Sequence, residues 1–346
     1  MMGAMRENGR TSTMLDRRAL LSVALGASLA SWNGPTRAEV SEVHLVRQFG
    51  IGYLPLTIML HEKLVEKHAA KAGLPSLTTK WSVLGNAVPI NDGLIAGTIH
   101  VGSGGIAPMV TAWDRTRGNV GILGIGALCA LPIFLVSRHP YKSVTEFTDQ
   151  DRISMAGAGQ SIQTMYLQME LAKAYGIAEY KKLNPIFVNL SHPDGLMALL
   201  SGREITASFL APPFQYRALE KGMHKVLSSY DVMGGPASFL SAWSTSKFRA
   251  ENPLAFKAVV DAFKEATLLI NTNRRKAAEI YVVDTGGKES VEETEKQLAD
   301  PENIFDLAPK KLIKLTDFMN ASGTIKSKPT SWKEMFFPEV HDLAGD

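Results

Sequence analysis

The segment MAGAGQSIQ, residues 155–163, lies between an apolar run that starts at residue 152 and a helical pattern that ends at Gly176. A glycine-rich turn from a strand into a helix commonly holds a negatively charged group. A dinucleotide-binding loop would follow Gly157 and Gly159 with a third glycine at position 162, where this chain has Ile162. The segment therefore predicts a strand, a turn and a helix that bind something smaller than a dinucleotide.

The same arrangement recurs along the chain. Six apolar, strand-like runs each end in a loop of small residues and continue into a helical pattern; the runs lie in 42–50, 77–85, 98–105, 152–159, 185–190 and 205–213. Strands that alternate with helices of this length predict βαβ units and parallel sheets. The fold class predicted is α/β, with doubly wound sheets.

The pattern also repeats internally, which predicts two lobes. Residues 87–112 and 191–218 share one layout: a short helix, a glycine turn, a strand, a proline and a second helix. Lobe one is predicted over 39–133 plus 245–346, and lobe two over 137–238. The chain would cross between them near 131–138 and 235–245, and these two crossings would form a hinge.

The first 38 residues have the features of a secretory signal peptide. Arg17 and Arg18 precede an apolar run over 19–31, and small residues lead to a predicted cleavage after Ala38. The two arginines leave twin-arginine and general export both open, and either Met1 or Met14 starts the segment. The expected location is the periplasm, as a soluble protein with no lipid anchor.

The net charge and the cysteine content of the chain argue against nucleic-acid binding and against an internal disulfide. Residues 1–38 hold five arginines against two acids, which accounts for the whole formal charge of +3, so the rest of the chain is neutral. A neutral balance argues against non-specific binding to nucleic acid. Cys129 is the only cysteine, so no internal disulfide is expected.

The six strand-to-helix loops should line one cleft, because ligands bind beyond the carboxyl ends of parallel strands. None of these loops contains Asp, Glu, Lys or Arg, whereas helix N-termini offer free N–H groups and partial positive charge. Such loops predict a small anion, although each alone is also ordinary turn and cap chemistry. The candidate ligand-binding residues are Tyr53, Leu54, Asn86, Ser103, Gly104, Gly159, Gln160, Ser161, His192, Pro212 and Phe214.

Two roles within this set follow from residue type. Tyr53 and Phe214, with Phe134, offer apolar surface for the body of a solute. His192 is the titratable group of the loops, and it would donate to the anion, more strongly when protonated, or cap a helix, or face water.

The motifs GYLP (52–55), GNAVPINDGLIAGTIHVGSGGIAP (85–108), GAGQSIQTMYLQMELAKAYG (157–176) and DGLMALLSGREITASFLAPPF (194–214) resemble the periplasmic substrate-binding proteins of ABC importers. The nitrate, sulfonate and taurine type is the most similar, over most of residues 43–255. The resemblance implies a two-lobed type II binding protein that acts as a monomer, closes on one small solute and delivers it to an inner-membrane permease. It implies no cofactor.

The chain departs from that family at one loop. Where many relatives carry Trp-Glu-Pro or Trp-Gly-Pro before an aromatic residue, this chain has Ala211, Pro212 and Pro213 before Phe214. The missing acid and indole disfavour solutes held there by an amine or a pyrimidine, such as taurine and thiamine precursors. A sulfonate or a carboxylate remains open.

An enzyme and a sensor are the alternatives. His61 lacks a histidine four residues on, because Val65 stands there, so no metalloprotease helix and no metal site are predicted. Fungal thiamine-pyrimidine synthases resemble the same fold family but carry a cysteine-rich motif, and a lone Cys129 in an apolar stretch speaks against that reading. No catalytic residue is proposed. A sensor that presents its closed form to a receptor would need the same sequence features.

Overall fold

The computed structural model describes Gly3 and residues 39–346, and residues 39–346 form one compact unit. The predicted signal peptide, its paired arginines and its cleavage after Ala38 lie outside the described residues. No helix in the described part of the chain has both the length and the apolar character needed to cross a membrane.

Five strands make the first lobe's sheet: β1 (Glu42–Arg47), β2 (Thr78–Val83), β3 (Gly102–Gly105), β4 (Ile122–Cys129) and β10 (Leu240–Thr245). β1 pairs in parallel with β2, and β10 lies between β3 and β4. A parallel bridge between Leu45 and Val101 joins the two parts, which gives the order β2-β1-β3-β10-β4. The helices that follow the first three strands are α1 (Leu54–His61), α2 (Leu64–Lys71), α3 (Val88–Ala96) and α4 (Ile106–Thr116).

The second lobe repeats this plan. Its strands are β5 (Phe134–Ser137), β6 (Ile153–Met155), β7 (Phe187–Asn189), β8 (Ala207–Leu210) and β9 (His224–Ser228). They pair in the order β7-β6-β8-β5-β9. The helices that follow are α5 (Ile162–Tyr175), α6 (His192–Ser201), α7 (Phe214–Glu220) and α8 (Ser229–Met233). The predicted internal repeat is therefore a repeat of strand order.

Each sheet is mixed rather than parallel throughout. β5 runs antiparallel to β8 and β9, and β10 runs antiparallel to β3 and β4. These are the strands by which the chain enters a lobe from the other one. The parallel strands end at the cleft, so a strand that starts from the cleft must run the opposite way. The predicted crossing at 235–245 includes β10, which pairs within the first sheet.

The remaining helices are α9 (Ser246–Glu251), α10 (Pro253–Thr272), α11 (Arg274–Asp284), α12 (Val291–Ala299) and α13 (Leu312–Ala321). Short 3₁₀ turns lie at Ile51–Tyr53, Val144–Glu146, Ile177–Glu179, Asn184–Ile186, Trp332–Met335 and Pro338–Val340. α10 packs on α1 and α2, and the Glu39 carboxylate accepts from the N–H groups of Leu254 and Ala255 at 2.8 and 2.7 Å. This contact caps the helix at its N-terminus.

One hydrophobic core spans both lobes. It includes Leu45, Tyr166, Trp243 and Phe263, each at most 1% exposed. A smaller cluster around Phe134, Leu199 and Leu210 fills the outer part of lobe two. The core therefore continues from one sheet to the other, and strand-to-helix loops of both lobes line one cavity.

Candidate ligand-binding cleft

Loops of the two lobes touch each other across the cleft. The Ile51 N–H donates to the carbonyl of Pro212 at 3.3 Å. A Cβ placed on Gly105 would lie 2.9 Å from Cγ2 of Ile162, at the start of α5. Loops of the two lobes are therefore in direct contact in this structure.

A cavity of about 330 Å³ remains between these loops. Among the described residues, Asp92 and Arg115 are its only charged lining groups, apart from the titratable Tyr53 and His192, and both are exposed. The rest of the lining consists of polar side chains without charge and of apolar ones. It includes Gln48, Tyr53, Asn86, Ala87, Asn91, Gly105, Pro108, Gly157, Gly159, Gln160, Ser161, Ile162, Gln163, Met165, His192, Phe239 and Leu240.

Six of the predicted site residues line this cavity: Tyr53, Asn86, Gly159, Gln160, Ser161 and His192. The structure brings these together from the loops after β1, β2, β6 and β7. The predicted loop at 103–105 reaches the cavity only through Gly105, the last residue of β3, and the loop after β8 contributes none of the described lining residues.

Five predicted residues do not line the cavity. The Ser103 hydroxyl is buried and donates to the carbonyl of Val46 at 2.7 Å, and Gly104 packs against Trp243. Leu54 is fully buried in the core, and Pro212 uses its carbonyl for Ile51. Phe214 packs on the smaller cluster of lobe two and stacks on His192, with ring centroids 6.1 Å apart.

The N-terminus of α5 faces the cavity. Gly157 and Gly159 have φ of 68° and 88°, a conformation that glycine adopts without strain, so the backbone turns sharply into the helix. Ser161 caps the helix by accepting from the Thr164 N–H at 3.2 Å. The first turn contains no acidic residue, so the partial positive charge of this helix end is not offset.

The N-terminus of α6 differs from that of α5. Its cap is Ser191, whose hydroxyl donates to the Asp194 carboxylate at 2.5 Å. Asp194 lies in the first turn, where a carboxylate offsets the partial positive charge of the helix. The start of α5 is therefore the more favourable position for an anion.

His192 is 8% exposed and contacts the cavity beside Gln163. The Gln163 side-chain amide donates to Nε2 of His192 at 3.3 Å, which leaves the ring proton on Nδ1. That Nδ1 has no hydrogen-bond partner among the described residues. Burial lowers the pKa of His192 to about 4, so the ring is neutral at physiological pH and the expected donation from a protonated ring does not apply there.

Tyr53 presents a second unpartnered polar group to the cavity. Its side chain is 4% exposed, and its hydroxyl has no hydrogen-bond partner in the part of the chain that the structure describes. Burial raises the pKa of Tyr53 well above its usual value, so the hydroxyl remains a neutral donor.

Sequence reasoning missed several lining residues, of which Gln48, Gln163 and Phe239 are the most informative. The Gln48 amide donates to the carbonyl of Ser103 at 3.0 Å and Gln163 contacts His192. Gln163 lies in the first turn of the helix that Ser161 caps, so its position in the sequence could have predicted that its side chain reaches the cavity. Phe239 comes from the return crossing, and its place in the cavity depends on how the crossing strand enters the sheet.

The cysteine and histidines considered above for catalysis or metal binding are either buried or paired with a carboxylate. Cys129 is fully buried, and burial raises the pKa of its thiol, which disfavours the nucleophilic thiolate. His61 pairs with Asp284 at 3.1 Å, and His68 pairs with Glu265 at 2.7 Å. Residues 39–346 contain no group of three His, Cys, Asp or Glu side chains placed to hold a metal ion.

Comparisons with known proteins place the fold. No protein-family model matches the chain, and no curated protein sequence matches it. Among solved structures, the alkanesulfonate-binding protein SsuA from Xanthomonas axonopodis pv. citri, bound to MOPS, is similar with a TM-score of 0.66 and 16% identity, over 84% of this chain and 96% of that one.

Two further solved structures are similar. The periplasmic aliphatic sulphonate binding protein SsuA from Escherichia coli has a TM-score of 0.62 and 16% identity, over 86% of this chain and 92% of that one. The periplasmic nitrate-binding protein NrtA from Synechocystis PCC 6803 has a TM-score of 0.58 and 15% identity, over 78% and 74%. The resemblance seen in the sequence motifs is confirmed at the level of fold: this chain has the two-lobed α/β fold of periplasmic substrate-binding proteins.

Proposed function

We propose that the chain is a periplasmic receptor that captures a small anion between its lobes and delivers it to an ABC permease in the inner membrane. A sulfonate-like solute is favoured. The observation that carries the proposal is the N-terminus of α5, which opens through Gly157, Gly159 and Ser161 into a cavity shared by both lobes. Helix N-termini bind anions through free N–H groups and partial positive charge.

The head group of the solute would lie against the first turn of α5. Gly159 and Ser161 supply the backbone there, and His192 offers Nδ1–H as a neutral donor. Asn86 lines the same part of the cavity from the side of lobe one. Several neutral donors that converge on one oxyanion can replace a cationic side chain.

The body of the solute would lie on the apolar part of the lining. Tyr53, Pro108, Met165 and Phe239 provide that surface, and Tyr53 adds an unpartnered hydroxyl. A site of this size that is mostly apolar, with a few fixed polar groups, is typical of small-molecule recognition. The names of the similar SsuA proteins, alkanesulfonate-binding and aliphatic sulphonate binding, support a head group of this chemistry.

Capture would follow from rotation of the lobes about the two crossings. An open cleft admits the solute, and closure brings the loop contacts of Ile51 with Pro212 and of Gly105 with Ile162 into place. The expected dissociation constant is about micromolar or tighter, which corresponds to about 8 kcal/mol of binding free energy.

A thermal-shift screen tests the proposal. Protein with residues 39–346 is unfolded and refolded to remove carried-over solute, then mixed with alkyl and aryl sulfonates, taurine, nitrate, carboxylates and the thiamine pyrimidine. A specific solute at about 100 times its dissociation constant adds about 2.7 kcal/mol of stability. We expect the largest shift with sulfonates.

Two matched variants test whether the thermal shift comes from binding in the cleft. Ser161→Trp puts an indole where the head group would bind, whereas Ser201→Trp changes an exposed serine at the far end of α6. The first should abolish the shift and the second should keep it. A shift with the pyrimidine or an amine, without one for any anion, would contradict the anion proposal. Equal binding by Ser161→Trp and the original protein would contradict the placement of the site.

A further inference from the structure

One face of α4 extends the cavity away from the proposed head-group position. Pro108, Ala112 and Thr116 are spaced by one helical turn, are buried and line the cavity, so the helix borders it over about 12 Å. α4 begins beside α5, because a Cβ on Gly105 would lie 2.9 Å from Cγ2 of Ile162. The cavity therefore has an arm that runs from the start of α5 towards the far end of α4.

The arm has an apolar lining. Ala112, Met165 and Met319 contribute hydrocarbon and thioether groups, and each of them is at most 5% exposed. The hydroxyls of Thr111 and Thr116 each donate to the backbone carbonyl four residues earlier, at 3.1 and 2.8 Å. These hydroxyls are already bonded within their own helix, so the arm suits the hydrocarbon part of a solute.

Two charged side chains also border the cavity. Asp92 and Arg115 are exposed, so both keep their contact with water. The methylene groups of an arginine cover apolar surface while its guanidinium stays hydrated. Arg115 is therefore compatible with an apolar arm beside it.

The end of α13 lies at the far end of the arm. Met319 is fully buried and Thr324 is half-buried, and both line the cavity. Just after them, the N–H groups of Lys326 and Ser327 donate to the Asp114 carboxylate, each at 2.9 Å. These bonds hold the segment against the last turn of α4, so Met319 and Thr324 form the end wall of the arm.

Lobe two holds the same wall from its own side. The Tyr180 hydroxyl donates to the carbonyl of Ser322 at 2.8 Å, and the Tyr180 ring packs edge-to-face on Phe318 with centroids 6.0 Å apart. Phe318 and Ser322 flank Met319 in the chain. Contacts with both lobes therefore fix the position of Met319.

We infer that Met319 is a specificity-determining residue, which sets the longest hydrocarbon chain that the arm admits. This inference rests on the proposed function and adds the shape of the solute, an anion with an extended apolar chain rather than a bare ion. The motifs that resemble ABC-importer binding proteins end at Phe214, so α13 lies outside them. A length limit at Met319 is therefore a property of this chain that those motifs do not imply.

Linear alkanesulfonates from ethanesulfonate through butanesulfonate to decanesulfonate are the probes, because they share a head group and differ only in chain length. Calorimetric titration of the protein (residues 39–346) measures each dissociation constant. Each methylene that enters the apolar arm should tighten binding about fourfold. The gain should stop once the chain meets Met319. No gain beyond ethanesulfonate, or an unbroken gain through decanesulfonate, would overturn the inference and leave the proposed receptor in place.

Two variants should move the length limit in opposite directions. Met319→Val removes atoms from the end wall and should admit longer chains, whereas Ala112→Leu fills the arm beside α4 and should exclude chains that the original protein binds. Ala174→Leu is the matched control, because Ala174 is exposed on α5 and is absent from the cavity lining, and it should keep the original limit.

Ethanesulfonate is too short to reach the end wall, so it should bind all four proteins equally and thereby report that each variant is folded. An unchanged limit in both Met319→Val and Ala112→Leu, with ethanesulfonate still bound, would overturn the inference alone. Failure of every sulfonate to bind the original protein would overturn the proposed function and the inference with it.

Discussion

The backbone N–H of Ile51 donates to the carbonyl of Pro212 at 3.3 Å, and this bond joins a loop of lobe one directly to a loop of lobe two. Gly50 makes the approach feasible, because a Cβ there would meet the Pro212 oxygen at 3.0 Å. We expect rotation of the lobes to break lobe-to-lobe contacts of this kind as the cleft opens. Solute affinity should therefore depend on residues that touch across the cleft as well as on those that touch the solute.

Gly105→Ala should weaken solute binding by holding the lobes apart. Its Cβ would lie 2.9 Å from Cγ2 of Ile162, a branched side chain with little freedom to move. We expect about tenfold weaker binding of butanesulfonate, with a larger radius of gyration by X-ray scattering in the presence of solute. Gly85→Ala is the control, because its Cβ would meet nothing within 4 Å. Equal affinity in the two variants would show that this contact does not limit closure.

Tyr53→Phe separates binding from folding. The Tyr53 hydroxyl has no partner among the described residues, so its loss should leave the free energy of unfolding unchanged and weaken binding about fivefold, for a bond of about 1 kcal/mol. Tyr166→Phe should do the reverse, because the Tyr166 hydroxyl donates to the Ser238 carbonyl at 3.3 Å, away from the cavity lining. Calorimetric binding and urea unfolding of both variants test the pair of outcomes. Unaltered affinity in Tyr53→Phe would exclude the hydroxyl as a solute contact.

The ion pair of Arg217 with Glu289 joins α7 of lobe two to the segment between α11 and α12 of lobe one. Glu289 is 7% exposed, so loss of its partner leaves a nearly buried carboxylate. Arg217→Gln should therefore destabilise the closed form by about 2 kcal/mol and weaken solute binding to match. Arg275→Gln, which removes only exposed ion pairs, should leave affinity unchanged. A loss of stability in Arg217→Gln without a loss of affinity would show that the pair persists in the open form.

His192 should make stability fall as pH falls. Burial lowers its pKa to about 4, below the ordinary value of 6.5, so the unfolded chain takes up a proton over that interval and the folded chain does not. The contribution is fully present above about pH 6.5 and is lost as pH falls towards about 4, with a total of about 3 kcal/mol.

His192→Gln removes this term, so the free energy of unfolding of the variant should fall less between about pH 7 and about pH 4 than that of the original protein. Urea titrations at several pH values measure the difference. Parallel pH profiles for the two proteins would mean that the ring is protonated in the folded state. Sulfonate binding by the original protein should not change between about pH 6 and about pH 8, because His192 keeps one charge state there.

The sequence by itself determined the local units and the chemistry of their loops. Alternating apolar runs and amphipathic patterns fix strands and helices because burial requires those periods. Gly157, Gly159 and Ser161 identify the start of α5 because positive φ and capping depend on residue type. The internal repeat predicted two lobes, and the repeated strand order agrees with it.

Only the tertiary structure decided which loop residues reach the cavity. Ser103 and Phe214 stand in the predicted loops, yet Ser103 is fully buried beneath the cavity and Phe214 packs on the core of lobe two. Gln163 and Phe239 line the cavity although no loop pattern singled them out. The direction of β5 and β10 depends on how the chain passes between the lobes. Side-chain orientation and charge state, as for the neutral His192, depend on burial by residues that are distant along the chain, here Gln163 and Phe214.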